Sequence, residues 1–179
     1  MYNTSKVVFS PRVRKSPFFL STMKYGAKAF TVYNHMYLPI SFEGTISDYN
    51  NLLKGVQLWD VGVERQIQIK GPDAEALSQF LTPRNIKKCS IGQAMYAPLL
   101  DFNGGFVNDP VMLKLKEDHY WFSLADGDAL LWAQGIAAGY KFDVEIHEPD
   151  VSPLQVQGPN SKELMAKVFG DWVNDLGFY

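Results

Sequence analysis

The chain has 179 residues, 46% apolar and 20% charged, with a formal net charge of −2. That length suits one ordinary domain with a real core, and the near-neutral balance leaves no basic footprint for nucleic acid. No run of about eighteen apolar residues marks a membrane span. The single cysteine, Cys89, allows neither an internal disulfide nor a paired-thiol metal site, so an inert thiol in a reducing, cytoplasmic compartment is expected.

Residues 1–50 read as a basic N-terminal arm with an irregular lead-in. Lys6, Arg12, Arg14, Lys15, Lys24 and Lys28 all precede the first acid, Glu43. Pro11 and Pro17 oppose the amphipathic helix of an organelle transit peptide, which leaves an arm packed on the domain or facing an anionic ligand. From Val63 to Ile69 the pattern alternates. Val63, Arg65, Ile67 and Ile69 fall on one face and Glu64, Gln66, Gln68 and Lys70 on the other, as in a half-buried strand. A Gly71-Pro72 turn and a helix through Ala76, Leu77, Phe80 and Leu81 follow.

Ala94–Phe102 and Phe106–Lys116 predict two strands joined by a tight turn at Asn103-Gly104-Gly105, and Tyr120–Leu124 predicts a third. Asp126 and Asp128 open a helix that carries Leu130, Leu131, Trp132 and Ile136 and is expected to stop at Gly139. Phe142, Val144 and Ile146 form a further strand. Leu154-Gln155-Val156-Gln157-Gly158-Pro159-Asn160 then repeats Ile67-Gln68-Ile69-Lys70-Gly71-Pro72-Asp73, each copy running into a helix. This order predicts an α+β fold, a largely antiparallel sheet with helices on one side and an internal pseudo-repeat whose halves leave a cleft. The second copy starts near residue 151, and the apolar segment from Trp172 to Tyr179 stops where another strand is due. Residues 51–179 are therefore expected to be an incomplete domain, truncated at the C-terminus and inactive alone.

His35, His119 and His147 lack metal-ligand spacing, and no nucleophile elbow or phosphate-binding glycine loop occurs. No metal is expected. Within Gly104-Gly105-Phe106-Val107-Asn108-Asp109-Pro110-Val111-Met112, two polar residues and a proline interrupt an apolar strand, which marks either a strand irregularity or a place where a ligand meets the backbone. Tyr96, Tyr120, Trp121 and Ser123 stand on neighbouring strands and could line the same sheet, although strand aromatics are more often core.

Leu58-Trp59-Asp60-Val61, Gln93-Ala94-Met95-Tyr96, Gly104–Asp109 and Val156-Gln157-Gly158-Pro159 resemble successive blocks of the glycine-cleavage T-protein (aminomethyltransferase) superfamily, which binds tetrahydrofolate. Ser10–Arg14, Pro17-Phe18-Phe19, Val32-Tyr33-Asn34-His35, Val107–Val111 and Lys141–Ile146 are similar to its dimethylsulfoniopropionate demethylase branch. The resemblance implies transfer of a methyl group from the sulfonium to tetrahydrofolate, giving methylthiopropionate and 5-methyltetrahydrofolate. It implies Asn108 and Asp109 at the reacting centre, Tyr96, Asn108, Asp109, Trp121 and Ser123 on the folate, and Tyr33, His35 and Trp172 on the small-molecule sulfonium or methylated-amine substrate.

The chain departs from the aminomethyltransferases twice. It has Asp60-Val61-Gly62-Val63-Glu64 for their Asp-Val-Ser-His-Met, and Asn108-Asp109 for their paired acids. An amide cannot act as a carboxylate base, which disfavours aminomethyl chemistry. A sulfonium instead carries its own activation, and aromatic faces suit its charge. The competing readings are an aminomethyltransferase or demethylase of methylated amines, a non-catalytic folate-binding protein of the iron–sulfur assembly type, and a plain α+β interaction module. A homodimer is the assembly left open.

Overall fold

The computed structural model describes residues 9–178; Lys6 of the basic arm lies outside them. The lead-in, expected to be irregular, is built from regular elements. Helix α1 (Phe19–Lys24), strands β1 (Ala29–Tyr33) and β2 (Met36–Ser41), helix α2 (Thr45–Lys54) and strand β3 (Gln57–Asp60) follow in order. Aromatic packing holds the arm down: the Phe9 ring stands edge-on to Phe19, Phe30 and Tyr37 at centroid distances of 5.3, 5.2 and 4.9 Å. The β1–β2 hairpin turns at Asn34 and His35, both left-handed at φ 46° and 60°. Such a turn usually announces itself with glycine, and its absence hid the hairpin.

The central sheet is antiparallel throughout, with strand order β10-β4-β9-β8-β5. Its strands are β4 (Gln66–Lys70), β5 (Ala94–Tyr96), β8 (Val111–Lys116), β9 (His119–Ser123) and β10 (Glu145–His147). The alternation of β4 is observed: Ile67 and Ile69 are buried while Gln66 and Gln68 lie on the opposite face. Helices α3 (Ala74–Leu81) and α4 (Ala129–Tyr140) both cover the Ile67–Ile69 face. Leu77 and Leu81 of α3, and Ala129, Ala133, Ile136 and Ala137 of α4, pack there with Met112, Tyr120 and Phe122. The run of alanines lets α4 approach the sheet closely, and each large apolar side chain buried in this layer contributes about 1.5–3 kcal/mol. Tyr120 is therefore core and does not line the other face with Trp121 and Ser123.

Three boundaries differ from expectation. The strand begins at Gln66, because Val61–Arg65 fold as turns in which Glu64 N–H reaches the Val61 carbonyl and Arg65 N–H the Val63 carbonyl. The long hairpin is broken in both strands. Leu99–Leu100 (β6) and Phe106–Asn108 (β7) pair as a separate two-stranded sheet, parted from β5 and β8 by Ala97-Pro98 and Asp109-Pro110, whose prolines have no N–H for the ladder. Helix α4 runs past the solvent-facing Gly139 to Tyr140. It ends because Lys141 turns left-handed at φ 60°, so that the Phe142 ring comes within 6.0 Å of Phe80 and 6.4 Å of Tyr140.

The repeat is observed and proves to have partners. After β4, Gly71 (φ +139°) leads into α3; after β11 (Leu154–Gln157), Gly158 (φ +123°) leads into α5 (Ser161–Phe169). Each glycine sits against a foreign backbone. A Cβ on Gly71 would meet the Asp143 carbonyl oxygen at 2.7 Å, and one on Gly158 the Gly55 carbonyl oxygen at 2.3 Å. Asp143 and Gly55 occupy matching places, each between a helix and a strand: α4 and β10 supply the partner of β4, while α2 and β3 supply the partner of β11. The two halves thus exchange their helix–strand units.

Candidate functional site

The sheet face away from the helices is open, and one of its ends collects most of the candidate residues. Pairing puts Tyr96, Val111, Ser123 and Gln66 in one cross-strand row, and Ala94, Leu113, Trp121, Gln68 and His147 in the next. Gln66 Nε2 donates to Ser123 Oγ at 2.8 Å and to the Glu64 carbonyl at 2.9 Å. Gln68 Oε1 accepts from Trp121 Nε1 at 3.0 Å and from the His119 ring at 2.8 Å, so the indole is pinned edge-on to the sheet's polar row. Tyr96 is 43% exposed, leaving its ring presented to solvent. Gln66 and Gln68, which orient these side chains, stood out in the sequence only as the polar half of an alternating strand.

Beyond the Ser123 end of this face the chain gathers acids around a tyrosine. Burial raises the Tyr33 phenol pKa above its ordinary value, the Asp126 backbone amide beside it pulls the other way, and the carboxylates of Glu64, Asp126 and Asp109 raise it further. Glu64 is half-buried, and burial raises its pKa too. Tyr33, Glu64, Asp109 and Asp126 therefore form one electrostatic neighbourhood, although they come from the hairpin, the turn before β4, the β7–β8 break and the loop before α4. Asp109 is exposed. Asn108, its neighbour, is 4% exposed and its amide is occupied within the chain: Nδ2 donates to the Ala125 and Asp126 carbonyls at 3.0 and 3.3 Å, and Oδ1 accepts from Ala125 N–H at 3.0 Å.

Asn34, which sequence reading passed over, is 3% exposed and bonded on every side. Its Nδ2 donates to the Val63 carbonyl at 3.0 Å and the Ala125 carbonyl at 2.9 Å, its Oδ1 accepts from Gly127 N–H at 2.9 Å, and its own N–H donates to Asp126 Oδ1 at 2.7 Å. The signal for it was faint: an asparagine, which tolerates the left-handed conformation, between two alternating runs.

Two candidates lie differently. His35 is exposed and pairs with Asp128 at 3.1 Å, in a shallow recess whose other charges, Arg14 and Arg65, are both bound to Glu148 at 2.7 and 2.6 Å. Arg65, which interrupts the apolar face of the expected strand, is thereby neutralised and also donates to the Gly62 and Val151 carbonyls. Trp172 lines an apolar groove of about 430 Å³ with Leu154, Val156, Met165, Phe169 and Leu176, where none of the other candidates reaches. Its Nε1 is bonded to the Phe169 carbonyl at 2.8 Å. Cys89 is buried, and burial pushes its thiol pKa up, the mark of an inert thiol. Among the described residues no group of three or more His, Cys, Asp or Glu side chains is placed to hold a metal, and no helix is long and apolar enough to cross a membrane.

Residues 18–179 match the family model of the GCVT N-terminal domain, and the chain belongs to that family. It is 51% identical over 170 residues to the dimethylsulfoniopropionate demethylase DmdA of Ruegeria pomeroyi, an alignment covering 95% of this chain and 47% of that protein. An aminomethyltransferase of Thermoanaerobacter is 25% identical over 170 residues, covering 93% of this chain and 46% of that one. The crystal structure of the glycine cleavage system aminomethyltransferase T from Bartonella henselae superposes with a TM-score of 0.78 at 22% identity, over 87% of this chain and 43% of that one, a likeness of fold. The chain thus spans about half the length of these relatives.

Proposed function

We propose that this chain is the folate-side half of a methyltransferase that demethylates dimethylsulfoniopropionate, passing one methyl group to tetrahydrofolate and releasing methylthiopropionate. The 51% identity to the Ruegeria demethylase carries the reading. The local chemistry supports it. A sulfonium is a soft cation, and the edge formed by Tyr33, Glu64, Asp109 and Asp126 combines an aromatic face with three carboxylates. Loss of the methyl leaves a neutral thioether that needs no proton, so the protein's task at the sulfur is alignment.

The open sheet face suits tetrahydrofolate, whose fused ring calls for aromatic contact and hydrogen-bonding groups. The exposed Tyr96 ring and the pinned Trp121 indole supply the first, and the Ser123 hydroxyl supplies the second. When bound, tetrahydrofolate contributes the nucleophilic amine that takes the methyl group. The chain's own part is to hold that ring near the acidic edge. Asp109, exposed at the β7–β8 break, and Glu64, whose raised pKa favours proton uptake, are the groups able to receive the proton that leaves the amine. Asn108 serves by fixing the backbone beside Asp109. His35, paired with Asp128 in its own recess, and Trp172, in the apolar groove beside Phe169, stand away from this edge and would make no contact with the small substrate.

A hybrid polypeptide tests this reading: residues 1–179 joined to the downstream half of the Ruegeria demethylase. The folded hybrid is expected to form methylthiopropionate and 5-methyltetrahydrofolate from dimethylsulfoniopropionate and to leave glycine betaine untouched. Turnover of betaine alone, or of neither donor by a folded hybrid, overturns the reading.

A further inference from the structure

The Ala125–Gly127 turn is gripped by two buried amides from distant parts of the chain. Asn34 and Asn108 both donate to the Ala125 carbonyl, at 2.9 and 3.0 Å, and between them they also engage Ala125 N–H, the Asp126 carbonyl and Gly127 N–H. Each amide is the immediate neighbour of a candidate site residue: Asn34 follows Tyr33, and Asn108 precedes Asp109. We propose that Asn34 and Asn108 form a paired clamp on this turn, positioning residues that hold Tyr33 and Asp109 at a common edge for the methyl donor. This rests on the demethylase reading of that edge.

Only an amide meets the demands at these two positions. Asn34 faces two carbonyl acceptors through Nδ2 and one N–H donor through Oδ1. Aspartate there would set a carboxylate oxygen against the Val63 and Ala125 carbonyls, and at position 108 against those of Ala125 and Asp126. Alanine would leave these buried groups without partners. Position 34 also needs a residue at ease with φ 46°, which asparagine and glycine are. Asn34→Gly therefore removes the amide while keeping the turn, which makes it the diagnostic variant. Asp126 closes the arrangement by accepting the Asn34 backbone N–H at 2.7 Å, so the hairpin carrying Tyr33 and the loop carrying Asp126 are tied in both directions.

The test uses the hybrid polypeptide. Asn34→Gly is expected to raise the KM for dimethylsulfoniopropionate about tenfold, the scale of a misplaced substrate-orienting group. The KM for tetrahydrofolate should change by less than about twofold, and Tyr33→Leu, which removes the ring, combined with Asn34→Gly should be no worse than Tyr33→Leu alone, because coupled groups are non-additive. A fall in Tm is expected either way, since Asn34→Gly leaves the Val63 and Ala125 carbonyls without this partner; a role in folding alone would move both KM values and leave the two substitutions independent, and that result overturns the clamp. Should the unsubstituted hybrid not turn over, the demethylase reading fails separately. The clamp is then judged by the carbon-13 signal of the Tyr33 ring, identified through Tyr33→Phe: Asn34→Gly should shift it, and an unmoved signal refutes the clamp.

Discussion

At the scale of single residues, Glu64 illustrates how the site sets itself against stability. Its carboxylate is half-buried in the turn before β4, and burial raises its pKa. A carboxyl whose pKa is higher in the folded than in the unfolded chain favours the protonated folded state. Stability is therefore undiminished below the ordinary glutamate value and falls as pH rises through the raised one. Glu64→Gln is accordingly expected to raise Tm at pH 7 and to match the parent at about pH 4, the lower end set by the unfolded glutamate; thermal melts at the two pH values check this. An unchanged Tm at both would mean the carboxylate is well solvated. Gly62 is a second residue-scale fit. Where the aminomethyltransferases carry serine, a side chain here would meet Ser16 Cβ at 2.9 Å, while Ser16 Oγ donates to the buried Asp60 carboxylate. Asp109 stands out through the break that two polar residues and Pro110 make in an apolar strand, and the aromatic candidates through residue type alone, which is why Tyr120, a core residue, is grouped with Trp121. The clamp could not be read in this way, because whether an asparagine amide faces a ligand or the protein's own carbonyls depends on the loop it meets, and that loop is distant in sequence.

At the scale of elements, the strand–glycine–helix repeat was legible because its signal is a change of period from two to about 3.6. Of the units that pair with it, α4 and β10 were expected as a helix and a strand, whereas α2 and β3 were not. Helix α2 spaces Ile46, Tyr49 and Leu53 along one helical face yet buries none of its residues fully, and α4 is apolar nearly all round, so the two patterns differ and do not reveal a shared role. The two repeat glycines make the element-scale prediction. Gly158→Ala combines a left-handed φ with a backbone oxygen at 2.3 Å, and is expected to cost about 2–4 kcal/mol, or about 5–15 °C in Tm for a chain of this size. Gly71→Ala should behave alike. Gly135→Ala, inside α4 with nothing within 4 Å of a new Cβ, should instead stabilise by about 0.5–1 kcal/mol. Denaturant melts of the three variants would separate them. The broken hairpin shows the complementary limit: Pro110 announced its break, whereas the matching one at Pro98 became visible only when the two strands were set side by side.

At the scale of the whole molecule, two of the four sheets among the described residues carry the repeat, and they are unequal in completeness. The five-strand sheet has both helices on its core face, while β3 and β11 form a pair whose helices, α2 and α5, bury no residue fully. Removing residues 154–179 is expected to leave the amides of β4, β8 and β9 protected from hydrogen exchange and to expose those of β3. Loss of protection throughout would show that the two sheets form one cooperative unit. The exchange of helix–strand units also bears on how the protein is made. Gln57 finds its partner only in Gln157, a hundred positions later. At the roughly 5–20 residues per second of translation, β3 leaves the ribosome roughly 5–20 s before β11 exists to cover it. During that interval Leu58 and Trp59 lie on an open strand edge, able to pair with the same edge of a neighbouring nascent chain on the same message. Slower translation lengthens that exposure, and the yield of native protein should track the rate of synthesis as well as the stability of the finished fold.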